Sequence, residues 1–522
     1  MPKHHSTDMA TQTKPRRAQV VLVHPDDDVI VAVHALTAGE TVEVGGEPIT
    51  LTSDVPAGHK IARRRLDEGA HVRRYGHVIG RASAPVEEGA HVHSHNLDTR
   101  LEGEIEYQYA PQDARPVEVG SRANGSVPTF EGYRRPDGRV GTRNEIWIVN
   151  TVGCVNTAAR RIARFAEERT DALDHVDGVH SFSHPYGCSQ LGDDLEYTQK
   201  ALAGLIRHPN AGGVLVLGLG CENNQMEDLL AQAGEGVRRE RIRFFNSQEV
   251  LDEVEEGLDA VQELAELMKA DRRETCPVTD LVVGVKCGGS DAFSGLTANP
   301  LVGRLTDRLT GLGAPVLQTE VPEMFGAEES LLNRAIDEGT FESAAGMING
   351  FKRYFRDHDQ PVYENPSPGN KEGGLTTLEE KSLGAVQKGG QAQVTQILDY
   401  AEAVDPDTGG LALVYGPGND GVSSTNMVAA GATLLLFTTG RGTPLGFPVP
   451  TLKISSNTEI AEKKPHWIDF DAGRLLAPDA DPQALDDEFF DLVRRVASGE
   501  KRANNEEADY REIAIWKGGV TL

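Results

Sequence analysis

Short polar motifs that combine cysteine, histidine and carboxylate side chains recur along the middle of the chain. GCVNT contains Cys154, SHPYGCSQ contains His184 and Cys188, and CENNQ contains Cys221 and Glu222. Thiolate and imidazole groups bind divalent metals, and imidazole and carboxylate groups can also transfer protons during catalysis. We therefore predict His184 and Glu222 as catalytic groups, with Cys154 and Cys188 as metal ligands.

Two further motifs add carboxylates, a hydroxyl group and another cysteine. CGGSDAFSG contains Cys287, Ser290 and Asp291, and the segment around VPEMFGAE contains Glu320 and Glu323. We predict Asp291 and Glu323 as catalytic carboxylates. In the same motifs we predict Cys287 as a metal ligand and Ser290 as a substrate-binding residue.

Glycine-rich motifs with basic or amide side chains follow in the last third of the chain. NPSPGNKEGG contains Asn370 and Lys371, and TTGRGTP contains Arg441. Backbone N–H groups in such loops can bind a carboxylate or hydroxyl groups, although the same glycines also suit plain tight turns. We predict these three residues and Arg143 as substrate-binding groups, because arginine can hold a carboxylate through two hydrogen bonds.

The HVHSHN motif near the N-terminus places His93 and His95 two residues apart. On a β-strand, residues two apart point to the same face, so this pair could hold one metal ion. His24 and His59 could line the same small domain. The alternative is a solvent-exposed hairpin in which the two histidines share no role.

The cysteine content indicates free thiols rather than disulfides. The chain has five cysteines, an odd number, and its polar N-terminus lacks the apolar stretch of a secretion signal. A single cysteine is more often a small buried apolar residue than a ligand. Because the cysteines are too far apart in sequence for a zinc ribbon, only the fold could bring them together at a metal.

The charge of the chain excludes some classes of partner. The 80 acidic residues against 52 basic ones give a formal net charge of −28, so nucleic-acid binding has little electrostatic support. No apolar run approaches the roughly 20 residues that span a bilayer, so we expect no membrane partner and a cytoplasmic protein. Scattered acids, with arginine in excess of lysine, favour a salt-rich cytoplasm. The alternative is an ordinary acidic enzyme.

The order of predicted elements indicates a small all-β domain followed by an α/β body. Residues 17–100 are short β-rich runs between turns, in which units such as PAGHKI and EEGAHV recur, and residues 101–128 are typical of a linker. Apolar strands alternate with helices over 129–272 and again over 278–522. This alternation predicts Rossmann-like parallel sheets with helices on both faces.

The polar motifs follow directly after several of the predicted strands. We predict strands at 145–152, 213–220, 281–286, 314–320, 411–416 and 433–439, and helices at 156–168 and 196–208. In open α/β sheets, ligands bind outside the carboxyl ends of the strands. The side chains named above are therefore expected to gather at such edges.

The chain resembles the altronate/galactarate dehydratase family from about residue 17 to residue 515. HVHSHN and YGHVIG are similar to the family's SAF domain. The remainder resembles the family in GYRRPDGRVGTRN, HPYGCSQ, GVLVLGLGCENNQ, CGGSDAFSGLTANP, NPSPGNKEGGLTTLEEKSLGA and TTGRGTP. The resemblance implies a hexonate or hexarate dehydratase that depends on divalent iron or manganese. Altronate is the substrate we expect first, with galactarate or another aldonate as the alternative.

Other functions stay open on the sequence alone. Sulfolactate sulfo-lyases also resemble this family, although their SAF part is usually a separate chain. The cysteines could hold an iron–sulfur cluster in place of a single iron or manganese ion. A non-catalytic protein that binds sugar acids is a further alternative, which the many titratable groups at strand ends disfavour. We expect a small sugar acid as the ligand and a homo-oligomer as the assembly.

The acidic surface leads to a prediction about salt. Because the excess negative charges repel one another and chloride salts screen that repulsion within about 3 Å at 1 M, the melting temperature should rise with KCl. The measurement is thermal unfolding between about 0.1 M and about 3 M KCl, a range that spans this screening. A flat or falling melting temperature would identify an ordinary acidic protein.

Overall fold

In the computed structural model, which describes residues 19–111, 127–169, 171–234 and 237–519, the N-terminal domain is built from short strands. They are β1 (Val20–Val21), β2 (Val29–Ala32), β3 (Thr41–Val44), β4 (Glu47–Thr50), β5 (Lys60–Ala62), β6 (His71–Arg74), β7 (His77–Ala82), β8 (His91–Val92) and β9 (Leu97–Asp98). All pairings are antiparallel, in the orders β1-β2-β5-β8, β3-β4 and β6-β7-β9. The predicted all-β domain is confirmed.

A repeated glycine turn explains the recurring sequence unit of this domain. Gly39, Gly58, Gly69 and Gly89 have φ angles of 86°, 79°, 81° and 77°. The residue after each glycine donates its N–H to the carbonyl oxygen three residues earlier, at 3.0–3.1 Å. This geometry is that of a type II turn, which requires a positive φ at its third position. The four turns lead into β3, β5, β6 and β8, and the last of these pairs with β5.

The predicted linker is described only in its first part. Residues 101–111 lie against the C-terminal part of the chain. Glu104 forms ion pairs with Arg353 and Arg356, and Tyr107 accepts a hydrogen bond from Lys352. The rest of the predicted linker, 112–126, lies outside the described residues.

A four-stranded parallel sheet forms the centre of the second domain. Its elements are β12 (Glu145–Asn150), α1 (Asn156–Arg169), β13 (Val179–Phe182), α2 (Gly192–Ile206), β14 (Ala211–Gly218), α3 (Met226–Gln232), β15 (Ile242–Asn246) and α4 (Glu253–Met268). The strand order is β13-β12-β14-β15. Every residue of β12 and β14 is buried, which explains why their sequences are apolar without alternation.

Three short strands close the second domain at its two ends. β10 (Thr129–Arg134) pairs with β11 (Val140–Gly141) and with β16 (Glu274–Pro277), so the chain enters and leaves the domain side by side. The segment between the two predicted α/β ranges, 273–277, thus contains a strand of this sheet.

A seven-stranded parallel sheet forms the centre of the C-terminal domain. Its strands are β17 (Val283–Cys287), β18 (Pro315–Gln318), β19 (Val394–Leu398), β20 (Gly410–Val414), β21 (Leu434–Thr439), β22 (Thr451–Ser455) and β23 (Phe470–Asp471), in the order β19-β20-β18-β17-β21-β22-β23. The helices are α5 (Ala298–Leu312), α6 (Glu329–Leu332), α7 (Glu338–Asp357), α8 (Pro368–Glu372), α9 (Leu378–Ala385), α10 (Asp420–Ala429), α11 (Thr458–Lys463), α12 (Pro482–Ala497) and α13 (Asn504–Glu507). The predicted α/β body with parallel sheets is confirmed.

The six strands predicted from apolar runs all overlap observed ones. Shorter or more polar strands, such as β13 and β15, escape the sequence pattern because they lie near the sheet edge and are only partly buried. None of the helices in the described ranges is long and apolar enough to cross a membrane.

A buried ion pair network fastens the N-terminal domain to the C-terminal domain. Glu380 of α9 accepts hydrogen bonds from Lys60, at 2.9 Å, and from Arg74, and all three side chains are fully buried. Lys60 also donates to the carbonyl oxygen of Gly374 at 2.8 Å, and Arg74 to that of Ala292 at 2.9 Å. Burial alone would raise the pKa of Glu380, but the two cations outweigh it and lower that pKa to about 2.

This network yields a prediction about stability. The substitution Glu380→Gln leaves Lys60 and Arg74 buried without a counter-ion, which should cost about 3–5 kcal/mol in the free energy of unfolding. Glu488→Gln is the matched control, because its partner Arg474 is half exposed and such pairs contribute about 0–1 kcal/mol. Urea unfolding at neutral pH measures both variants. Equal stability of the two would contradict the inference.

Candidate functional site

A cleft opens where the strand order of the C-terminal sheet changes direction. β17 lies between β18 and β21 in the sheet, and the later strands are added beyond β18 on one side and beyond β21 on the other. The carboxyl ends of β17 and β21 therefore form a topological switch point. The carbonyl oxygen of Gly289 accepts the N–H groups of Gly440 at 3.0 Å and Arg441 at 2.9 Å, so the loops after these two strands are joined. The cleft beside them has a volume of about 1430 Å³.

Asp291 lines this cleft on the loop after β17. Its Oδ1 accepts hydrogen bonds from Ser294 and from the hydroxyl of Ser456 at 2.7 Å, whereas Oδ2 accepts from Asn457 at 3.0 Å. Burial raises the pKa of Asp291, and the hydrogen bonds act against that rise. The carboxylate is thus fixed in orientation, with more acceptor capacity left on Oδ2 than on Oδ1.

One basic residue of the cleft, Arg441, is held loosely. Arg441 donates to Glu372 at 2.9 Å, and these side chains are 46% and 71% exposed. Exposed pairs of this kind are weak, so an anionic ligand could take the place of Glu372 at little cost. Lys371, the neighbouring residue on α8, is partly buried.

Three histidines of the N-terminal domain meet against the loop that carries Glu372. Ligand nitrogens of His59, His91 and His93 all lie within 4.8 Å of one another. His59 Nδ1 is 2.9 Å from His91 Nε2, and His59 Nε2 is 3.1 Å from the carbonyl oxygen of Glu372. This group, which we call the histidine trio, stands beside the cleft because the buried network of Glu380 seats the domain there.

The histidine trio fits a divalent metal ion. His93 Nδ1 is buried and has no hydrogen-bond partner among the described residues, so its lone pair is free for a ligand. Burial lowers the pKa of His91 to about 4 and that of His93 to about 3. Both rings are therefore neutral at physiological pH, which is the form that binds metals.

His95 takes a different position from the one that strand alternation predicts. β8 ends at Val92, and residues 93–96 form a turn in which Asn96 donates its N–H to His93 at 3.0 Å. The ring of His93 stacks on that of His91 with 5.5 Å between centroids, while the His95 ring is tilted against His91 with 5.4 Å between centroids. The structure thus joins His93 to His91 and to His59, the histidine of the PAGHKI unit.

A second group of possible ligands is buried beneath the cleft. Cys287, Glu320 and Glu323 have ligand atoms within 4.8 Å of one another. Lys388 donates to the Cys287 sulfur at 2.9 Å, and Lys381 pairs with Glu323 at 2.8 Å. We call these five residues, with Lys286, the lysine–carboxylate cluster. Since its carboxylates are already neutralised by ammonium groups, a divalent ion would have to displace them, and the histidine trio fits a metal better.

The electrostatics of the lysine–carboxylate cluster also disfavour a metal-bound thiolate. Burial raises the pKa of Cys287 to about 12, so the thiol stays protonated. Burial would raise the pKa of Glu323 too, but Lys381 and the other lysines lower it to about 2. Glu320 has a left-handed φ of 70°, a strained conformation that often marks functional sites.

Amide side chains connect the lysine–carboxylate cluster to the cleft. Asn370 donates to the carbonyl oxygen of Ser290 at 2.8 Å and accepts from Lys381 at 3.3 Å. Ser290 precedes Asp291, so the predicted residues Cys287, Ser290, Asp291, Glu323 and Asn370 come together in one region. Asn457, Lys286 and Lys388 belong to the same region but stand outside the quoted motifs. Lys381 lies within the motif NPSPGNKEGGLTTLEEKSLGA, but the sequence alone assigned it no role.

The predicted residues of the second domain lie elsewhere. His184 is buried, with Nε2 donating to the carbonyl oxygen of Asn150 at 2.9 Å and Nδ1 accepting the N–H of Tyr186 at 3.2 Å. Glu222 accepts from Thr151 and from the N–H of Gly220 at 2.7 Å. Both side chains thus bond to the end of β12 and to the residue after it, in loops that also carry the exposed Cys188 and Cys221.

Arg143 is used inside the body of the protein. Its guanidinium forms a two-pronged pair with Glu506 of α13, at 2.6 and 2.8 Å, and donates to the carbonyl oxygen of Val496. Both charged groups are buried, so this arginine holds the C-terminal helices and does not line the cleft. Glu506 lies far along the chain, which is why the motif alone does not reveal the pairing.

Comparison with known proteins gives matches along nearly the whole chain. Residues 18–100 match the altronate/galactarate dehydratase SAF domain, residues 132–269 the D-galactarate dehydratase/altronate hydrolase second domain, and residues 278–521 the D-galactarate/altronate dehydratase C-terminal domain. The chain is 48% identical to the altronate dehydratase of Bacillus subtilis (strain 168) over 96% of this chain and 99% of that protein.

Two proteins of Escherichia coli (strain K12) extend the comparison. Its altronate dehydratase is 48% identical over 97% of this chain and its own full length. Its galactarate dehydratase (L-threo-forming) is 32% identical over 92% of this chain and 93% of that protein.

The geometry of the histidine trio yields a prediction about metal binding. With Mn²⁺ as a paramagnetic probe, His93→Ala should weaken binding at least about 10-fold, because it removes a ligand with a free lone pair. His95→Ala is the control and should bind nearly as well as the wild type. Because the pKa values of His91 and His93 are about 4 and 3, affinity should fall little between about pH 7 and about pH 5. Loss of binding in both variants, or in neither, would contradict the assignment.

Proposed function

Because this chain belongs to the altronate/galactarate dehydratase family, we propose that it is a hydro-lyase that converts D-altronate to 2-dehydro-3-deoxy-D-gluconate and water. One observation carries the choice of substrate. The chain is 48% identical to two altronate dehydratases but 32% identical to a galactarate dehydratase, with nearly full coverage in each case.

The reaction sets two physical requirements for the site. The hydrogen at C2 of an aldonate is very weakly acidic, and its removal gives an enediolate that carries negative charge on both carboxylate oxygens. The hydroxyl group at C3 must also gain a proton before it leaves as water. A site for this reaction therefore needs positive charge near the carboxylate and a base near C2.

The histidine trio is the proposed site for a divalent iron or manganese ion. Three neutral imidazoles form a common ligand set for such ions, and they leave other coordination positions for a substrate. When bound, the ion stabilises the negative charge that develops on the substrate oxygens. The hydrogen bond between His59 Nε2 and the carbonyl oxygen of Glu372 holds the trio beside the cleft.

Arg441 and Lys371 are the proposed cations for the substrate carboxylate. The protein carries 28 more acidic than basic residues, so an anionic sugar acid needs local positive charge to stay bound. Arg441 lines the cleft and is held only by the exposed carboxylate of Glu372. A substrate carboxylate can replace that partner through the same guanidinium donors.

Asp291 is the proposed base that removes the proton at C2. Its carboxylate lines the cleft, and its raised pKa brings its basicity closer to that of a useful catalyst. The hydrogen bonds from Ser456 and Asn457 hold the group in place, so little reorganisation accompanies proton transfer.

A substrate panel tests the proposed function. Purified protein supplied with Fe²⁺ or Mn²⁺ should form 2-keto-3-deoxy acid from D-altronate faster than from galactarate or other aldonates. A chelator should abolish turnover and added metal should restore it. Binding of D-altronate without product under these conditions would favour a binding protein instead.

A matched pair of variants ties the activity to this cleft. Asp291→Asn should lower kcat by at least about 10²-fold, as expected for loss of a general base. Asp479→Asn alters an exposed carboxylate at the outer wall of the same cleft and should leave kcat nearly unchanged. Equal kcat values for the two variants would show that the reaction takes place at another site.

A further inference from the structure

Three of the five cysteines come to one edge of the second domain. Cys154 follows β12, Cys188 follows β13 and Cys221 follows β14. These strands are neighbours in the order β13-β12-β14, and they run parallel. Their carboxyl ends therefore meet at the same edge, which is where α/β sheets bind ligands.

The loops that carry these cysteines are bonded to one another. The N–H of Gly153 donates to the carbonyl oxygen of Tyr186, and the N–H of Asn224 donates to that of Gly187, both at 2.9 Å. The N–H of Ser189 donates to the side chain of Asn223 at 2.7 Å. Chain neighbours of each cysteine thus contact neighbours of the next, so the three thiols belong to one small surface.

The exposure of these three thiols is unusual. Free cysteines are among the residues most often buried, and both other cysteines of this protein are buried. Cys154, Cys188 and Cys221 are exposed instead.

The backbone of these loops is shaped to hold the thiols. Gly187 and Gly220 have φ angles of 99° and 123°, and Ser189, which follows Cys188, has a φ of 58°. Left-handed serine is strained and persists where the surrounding structure enforces it, often at a binding site. Glu222 fixes the turn that carries Cys221 by accepting the N–H groups of Leu219 and Gly220.

A buried hydrogen-bond acceptor without a partner among the described residues lies in the loop that carries Cys221. Asn224 is fully buried and donates to the carbonyl oxygen of Thr151 at 2.9 Å, but its Oδ1 has no hydrogen-bond partner among the described residues. Such a group costs free energy unless a ligand, ion or water satisfies it.

We propose that Cys154, Cys188 and Cys221 bind an iron–sulfur cluster through three thiolates. The sulfurs are not among the ligand groups that lie close enough for a single ion within the described residues. An iron–sulfur cluster has several irons, each of which can take its own thiolate, so it spans a wider gap between sulfurs than one ion does. The three loops supply one cysteine each.

A cluster held by three cysteines has one iron without a protein thiolate. Fully ligated clusters of this kind use four cysteines, so the fourth position here is open to oxygen ligands. The carboxylate and a hydroxyl group of a hydroxy acid are such ligands, and this position would be a second site, separate from the cleft to which the proposed function assigns the reaction. Neither the cluster nor its open iron depends on that proposed function.

Anaerobic reconstitution of the full-length protein tests the proposal. Protein incubated with Fe²⁺ and sulfide under excess thiol reductant should turn brown and retain about four irons and about four sulfides per chain. Cys154→Ser, Cys188→Ser and Cys221→Ser should each lose most of the visible absorbance and the sulfide. Cys276→Ala is the control, since this buried cysteine lies on β16, away from the three loops, and it should match the wild type.

The outcomes separate this proposal from the proposed function. A wild-type protein that stays colourless and sulfide-free, or serine variants that keep the cluster, would overturn the inference even if 2-keto-3-deoxy acid is formed. A cluster that needs all three cysteines supports it even if no sugar acid is turned over. For the open iron, D-altronate should shift the electron paramagnetic resonance spectrum of the reduced cluster, and an unchanged spectrum would overturn that step.

Discussion

The buried charge of Glu380 is the interaction on which the arrangement of this protein depends. A lone carboxylate at this depth would be strongly unfavourable, and it is stable only because Lys60 and Arg74 reach it from another domain. Lys60 lies on β5 and Arg74 on β6, so their ion pairs with Glu380 fix the position and orientation of the N-terminal domain. The contact of His59 with the Glu372 carbonyl oxygen follows from that seating. One electrostatic requirement thereby links domain packing to the geometry of the cleft.

Charge is distributed unequally between the surface and the interior of this protein. The chain as a whole is strongly acidic, yet its buried centre holds lysines 286, 381 and 388 around Glu320 and Glu323. Each of these charges is compensated by a neighbour, which keeps the cluster stable in a low-dielectric setting. Because this compensation leaves little net charge in the interior, the positive charge that an anionic ligand needs must come from the cleft itself, where Arg441 is half exposed.

The sequence predicts the layers of the fold and the strand ends well, because apolar runs and the motifs after them are local signals. It predicts the partners of polar side chains poorly, because those depend on contacts between distant segments. His59 and His91 come together through antiparallel pairing of β5 and β8, and Arg143 meets Glu506 from the far end of the chain. The nearness of the loops after β12, β13 and β14 likewise depends on the order of strands in the sheet, which periodicity does not contain.

The pairing of β10 with β16 has a consequence for how such a chain can change over time. Because the second domain begins and ends on two adjacent strands, its boundaries lie beside each other in space. A segment with neighbouring ends can be removed, replaced or joined to another protein with little disturbance to what remains. Genetic recombination could therefore replace this domain as a unit. The loops at the ends of its strands would then change while the other two domains stayed the same.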